Sequence, residues 1–220
     1  MQSTLSSWMR GAAAGAGVAL AVAMAPGAAM AGTVSETVNV PTTATNWSQN
    51  LIFAGFNAVG PAGQTLDSVA IQLTETMAGT AIATNNGSTP AVGDFVFTNQ
   101  AKLNAGVLGL VTNVQNSSNI TIPVSGTSPL QSIGGSSSAS QTFISGLAQF
   151  LPSWNATGSD TGSEGLSFTG GNLAATFTDS GALSVLVTYT YSPTPVPEPA
   201  GLALLGTALL GLGIVRFKRA

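Results

Sequence analysis

Cysteine and histidine are both absent from the 220 residues, and each absence closes off chemistry. Without a thiol there is no disulfide framework, thiolate nucleophile or sulfur ligand, and without imidazole there is no Ser–His pair and no histidine metal site. Charge is also scarce, with five Lys and Arg, eight Asp and Glu, and a net charge of −3. Four of the five cations, Arg10, Arg216, Lys218 and Arg219, sit near the ends. Between Gly32 and Pro195 only Lys102 remains against Glu36, Asp67, Glu75, Asp94, Asp160, Glu164 and Asp179, a net −6. A single cation cannot neutralise a run of phosphates, so a nucleic-acid partner is excluded.

What the chain does have, at its end, is a three-part tail. Pro197-Glu198-Pro199 forms an extended, turn-prone box. The 17 uncharged residues from Pro199 to Val215 follow, and Arg216, Lys218 and Arg219 close the chain. As a helix the uncharged run would rise about 25 Å, at the short end of what spans a hydrocarbon core. Its glycines are better tolerated in lipid than in water, and the trailing cations would stay on the cytoplasmic side. Box, apolar helix and basic stop over Val196 to Ala220 resemble the PEP-CTERM sorting signal of Gram-negative bacteria. The resemblance implies recognition by an exosortase, a membrane-embedded cysteine transpeptidase that cuts near the box.

The other end reads as an export leader. Arg10 supplies a positive n-region, Val18 to Ala25 an apolar stretch, and Ala29 and Ala31 the small residues flanking a cut before Gly32. The expected organisation is a signal peptide over 1–31, an ectodomain over 32–191, a Pro-rich spacer with the box over 192–199, and a transmembrane helix with basic tail over 200–220. The spacer is expected to be extended and a poor sheet former.

Hydrophobic periodicity in the middle is two. Val69, Ile71, Leu73 and then Met77 form one row, and Leu183, Val185, Val187, Tyr189 and Tyr191 another. Weaker strand candidates are Val34 to Val40, Ser48 to Phe56, Asp94 to Lys102, Val107 to Val114, Asn119 to Val124, Leu166 to Phe168 and Leu173 to Asp179. Gly60 to Gly63, Asn85 to Pro90 and Gly134 to Ser138 read as turns. Short strands with such punctuation predict an all-β, antiparallel β-sandwich. One short helix is expected over Ser140 to Leu151, where Phe143, Leu147 and Phe150 or Leu151 share a stripe before Pro152.

Candidate chemistry is thin. Asp160-Thr-Gly-Ser163 and Asp179-Ser-Gly181 copy the short motif of aspartic proteases, but Asp160 reads as part of a polar loop rather than a dyad walled by apolar strands. Asp160, Ser163 and Glu164 could offer oxygens to Ca²⁺ from that loop, in a frame too short for an EF-hand. Trp47 and Trp154 could be a sugar platform or, as is commoner, core aromatics. No catalytic residue, cofactor or metal ligand is assigned.

The ectodomain has a family likeness of its own. Thr45 to Phe53 with Phe56, Leu66 to Val69, Phe150 to Trp154 and Val185 to Tyr191 look like the choice-of-anchor E domain, over about Thr33 to Tyr191. That likeness implies an exported domain with an alternative C-terminal anchor and transfers no catalytic residues. The expected protein is non-enzymatic. The secretion machinery would carry it across the inner membrane, and its tail would contact that membrane transiently until the exosortase places it at the cell surface or in the extracellular matrix. Exopolysaccharide, biofilm or other copies of itself are the expected associates. A glycan- or Ca²⁺-binding adhesion module is the alternative, and a carboxylate-dependent hydrolase using Asp160 or Glu164 a second.

Overall fold

The computed structural model describes residues 31–193. Ala29, the box at Pro197, Glu198 and Pro199, the apolar run and Arg216, Lys218 and Arg219 lie outside the described residues, while Ala31 is exposed immediately before the first strand. Among the described residues no helix is long and apolar enough to cross a membrane.

Eight strands follow in chain order: β1 (Gly32–Ala44), β2 (Trp47–Phe53), β3 (Gln64–Asn85), β4 (Ala91–Ala105), β5 (Leu108–Ile122), β6 (Gln131–Phe143), β7 (Trp154–Thr169) and β8 (Leu173–Pro193). They make two antiparallel four-stranded sheets, ordered β1-β8-β3-β6 and β2-β7-β4-β5. The inner faces of the two sheets pack on each other as a β-sandwich. One short α-helix, α1 (Phe56–Val59), follows β2 and buries Phe56.

Alternation of apolar and polar residues is the reason for this arrangement. On β3, Val69, Ile71, Leu73, Met77, Ala81 and Ala83 are all buried, and every second residue between them faces out. β4 matches it with Ala91, Phe95, Phe97, Ala101 and Leu103. The strands are longer than their apolar cores suggest: β3 runs 22 residues and β8 runs 21. β8 joins the two segments expected around Leu173 to Asp179 and Leu183 to Tyr191, and β5 joins those around Val107 to Val114 and Asn119 to Val124. β8 also continues through Pro193, so Ser192 and Pro193, the start of the expected spacer, pair with Thr65 and Gln64.

Three local expectations are corrected. Gly134 to Ser138 is not a turn but the middle of β6, an edge strand in continuous register with Ala78 to Thr74 of β3. Ladder pairing to a well-buried neighbour there overrides the low strand propensity of Gly and Ser. The helix expected over Ser140 to Leu151 is the end of β6 followed by a four-residue 3-10 turn, Leu147–Phe150. Phe143 and Phe150 do meet, at 5.1 Å between ring centroids, though through this bend rather than along one helical stripe. Finally, Ala156 to Ser163 is not a polar loop but part of β7, paired with β2 up to Asp160 and with β4 from Thr157 onward. The turn expected at Asn85 to Pro90 is present. Buried Asn85 organises it, donating to Thr89 O at 2.8 Å and accepting from Gly87 N at 2.9 Å and Asn172 N at 3.0 Å.

Candidate functional site

The interior divides into two apolar clusters. One gathers Phe53, Ile71, Leu73, Leu103, Leu110, Leu183, Val185 and Tyr189, and the other gathers Met77, Phe95, Phe97, Val114, Ile122 and Ile133. The strands pass from one to the other through a polar layer. On β3 the residue between Leu73 and Met77 is Glu75, on β4 the residue between Phe97 and Ala101 is Asn99, and on β5 the residue between Leu110 and Val114 is Thr112. Glu75 and Asn99 are fully buried and Thr112 nearly so. β7 adds Asp160, only 2% exposed, and β8 adds half-buried Asp179.

Glu75 reaches from the first sheet to the second. Its Oε2 accepts hydrogen bonds from the Thr112 hydroxyl at 2.7 Å and from Ala101 N at 3.2 Å, while Oε1 has no donor. Neither oxygen of Asp160 has a donor either. Asp160 lies within hydrogen-bonding reach of Glu75, and its carboxyl is pushed up to about 7, first by burial and then by the neighbouring Glu75 and Asp179, against the lowering effect of the nearby Thr161 amide. Asp179 is pushed up to about 6, by burial and then by Glu164, against the lowering effect of bonds from Ser180 N, Asn99 and Thr45. Asn99, with its carboxamide oriented to donate, bonds Asp179 Oδ2 at 2.7 Å and Thr98 O at 3.0 Å. The layer is tightly seated: a Cβ at Gly181 would collide with Asp160 Oδ2, and one at Gly162 with Asp179 Oδ2. Lys102, the single cation of the described residues, is exposed on the outer face of β4.

The two aspartates of the duplicated Asp-Ser/Thr-Gly pattern are therefore neighbours after all, on strands of opposite sheets. Asp160 stands in the packed interior rather than in a cleft, while Asp179 is half-buried. Ser163 and Glu164 are exposed and alternate along β7 instead of converging with Asp160. Among the described residues no three acidic side chains are grouped to hold a metal ion.

A second feature lies at one end of the sandwich. The Trp154 ring stacks on Phe53 at 4.1 Å and 12°, and meets Phe150 edge-on at 5.2 Å and 81°. Its indole N–H donates to the Tyr189 hydroxyl at 3.2 Å, which in turn donates to Glu36 Oε1 at 2.5 Å. Glu36 Oε2 accepts from Ala54 N at 2.9 Å, tying β1 to the connection before α1. Burial and the bond to Glu36 raise the Tyr189 hydroxyl well above the usual phenol range. Beside this network is an open concavity of about 410 Å³ lined by Asn104, Gln149, Phe150, Trp154, Asn155 and Thr157. Trp47, partly buried against the first apolar cluster, is not part of it.

The outer face of β1-β8-β3-β6 is the third feature. Register aligns Asn39, Ser184, Thr74 and Ser138 in one transverse row, and Ser35, Thr188, Ala70 and Thr142 in another. Neighbouring hydroxyls touch, Ser35 with Thr188 at 3.0 Å and Thr80 with Thr178 at 2.5 Å. No ionisable side chain stands in these rows. Strand spacing puts the residues that carry them about 4.8 Å apart across the sheet and about 6.8 Å apart along it.

No family model matches the sequence, and no curated protein matches it. Among solved structures the chain is similar to that of infectious bursal disease virus, Gx strain, at 13% identity over 74% of this chain and 38% of that one, with a TM-score of 0.18. The Gt strain of the same virus gives 12% identity over 80% and 47%, with a TM-score of 0.12. Its VP2 subviral particle gives 11% over 80% and 44%, with a TM-score of 0.10. The chain thus spans less than half the length of these proteins, and likeness at this level carries no functional argument.

Proposed function

We propose that this chain is an exported structural protein of the cell surface or extracellular matrix, released from its C-terminal sorting signal by an exosortase and associated with neutral polysaccharide. The observation that supports this reading best is the uncharged hydroxyl grid on the outer face of β1-β8-β3-β6. Such a surface offers donors and acceptors at short, regular spacing and repels neither polyanions nor polycations. Its chemistry suits a polymer that is itself a string of hydroxyls.

Co-sedimentation with the exopolysaccharide of the host is the test. Asn39→Asp combined with Ser138→Asp puts one charge at each end of a row of the grid, on strands that are not neighbours, and is expected to reduce the pelleted fraction severalfold while thermal unfolding stays close to wild type. Equal co-sedimentation of wild type and the folded double variant contradicts the reading.

The Trp154 concavity favours a second reading, recognition of a defined glycan end. Asn104, Gln149, Asn155 and Thr157 supply neutral hydrogen-bonding groups around an aromatic wall fixed by Phe53, Phe150 and Tyr189. That reading expects saturable binding of an oligosaccharide, weakened at least tenfold by Gln149→Ala with the fold unchanged. Unaltered affinity in the folded variant removes it.

A further inference from the structure

We propose that the folded sandwich holds one proton between its two sheets, carried by Asp160 and donated to Glu75 Oε1, and that the polar layer around it loosens when that proton leaves. The geometry requires it in three steps. First, Asp160 is 2% exposed, both of its oxygens lack a donor, and Glu75 Oε1 lacks one too. Acceptors buried without donors are destabilising, and more so when charged. A proton on Asp160 converts two facing acceptors into a donor and an acceptor.

Second, no other side chain meets the need. From β3 comes Glu75, from β4 Asn99 and the Ala101 amide, from β5 Thr112 and from β8 Asp179. Glu164 lies further along β7, nearer Asp179, and Thr45 follows β1. Asn99 is committed to Asp179 and Thr98, and Thr112 and Ala101 N to Glu75 Oε2. From β2, Trp47 stands opposite Asp160 in the ladder but leaves its indole N–H without an acceptor. No cation faces the layer among the described residues.

Third, the layer lies between two separate apolar clusters. Ionised, Asp160 sets its charge beside Glu75 and Asp179, and the strain falls first on the bonds of the central layer. The rise of the Asp160 carboxyl to about 7 agrees with this and places the change near neutrality.

The test uses the full-length chain in mild detergent. Thermal unfolding of wild type is expected to move to lower temperature as pH rises from about 4 to about 7, then to level off. Asp160→Asn, whose amide can donate to Glu75 at any pH, is expected to flatten that dependence and to match or exceed wild type at about pH 8. A wild-type midpoint no lower at neutral pH than in acid, or an undiminished slope in the variant, overturns the proposal. Should Asp160→Asn fail to fold, carbon NMR of the wild-type Asp160 carboxyl decides: titration near neutrality supports the shared proton, and titration near 4 contradicts it. Calcium added at neutral pH is the remaining arm. No change in midpoint supports the proposal, and a rise in wild type that is absent from Asp160→Asn overturns it in favour of a metal site.

Discussion

Glu75 and Asp160 face each other from opposite sheets in the middle of the sandwich, and between them three buried oxygens have no donor. Glu75 is otherwise well held, with Thr112 and the Ala101 amide on Oε2. Asp160 is packed against Gly181 and lies beside Glu75 and the Thr161 amide, with no hydrogen bond of good geometry to either oxygen. The same strands that make this pair carry the apolar clusters above and below it, so whatever changes its charge is felt by both sheets.

The pH dependence follows from the direction of the shifts. The Asp160 carboxyl rises from 3.8 to about 7 on folding, so between those values the folded chain keeps a proton that the unfolded chain has released. The stability this contributes is fully present below about 3.8, is lost as pH rises toward about 7 and is flat above. Asp179 adds in the same direction up to about 6. Urea unfolding at constant ionic strength across this range is expected to show a midpoint that declines with rising pH.

Gly181→Ala tests how tightly the layer is seated. The added Cβ runs into Asp160 Oδ2. Overpacking of this kind is expected to cost about 1–3 kcal/mol in chemical denaturation. Gly165→Ala on β7, where a Cβ meets nothing within 4 Å, is the control. It is expected to stay within about 0.5 kcal/mol of wild type.

Thr112→Val removes the shorter of the two donors to Glu75 Oε2 without changing side-chain shape much. The expected loss is about 1–3 kcal/mol of unfolding free energy, because a buried acceptor loses a partner. The same change at Thr74, on the outer face, is expected to cost much less.

Tyr189→Phe breaks the chain from Trp154 to Glu36 at its middle, leaving an indole N–H without an acceptor and Glu36 without one of its donors. A loss of about 1–3 kcal/mol is expected. Near-ultraviolet circular dichroism should change with it, since Trp154 is fixed by this bond and by Phe53 and Phe150.

Much of the fold was legible because alternation is a direct consequence of the pleat: Val69, Ile71 and Leu73, or Leu183, Val185 and Val187, can share a face only in a strand. Gly134 to Ser138 and Ala156 to Ser163 were not legible, since nothing in Gly, Ser, Thr and Asp says strand until β3, β2 and β4 supply partners. The central acid was half visible. The buried row of β3 skips from Leu73 to Met77, and the residue skipped is Glu75, a charge standing where the period demands an apolar side chain. Asp160 shows the converse: it falls on the same face as Ala156 and Gly158, whose small size hides the row. That the two acids meet is a matter of sheet packing, which no local pattern encodes.

Intact mass spectrometry of the protein recovered from the surface and medium of its native host tests the functional account most directly. The account predicts a species that begins at Gly32 and ends near Pro197 to Pro199, lacking Arg216, Lys218 and Arg219. Full-length chain with both ends intact, recovered from the cytoplasm and absent from the surface, would contradict it.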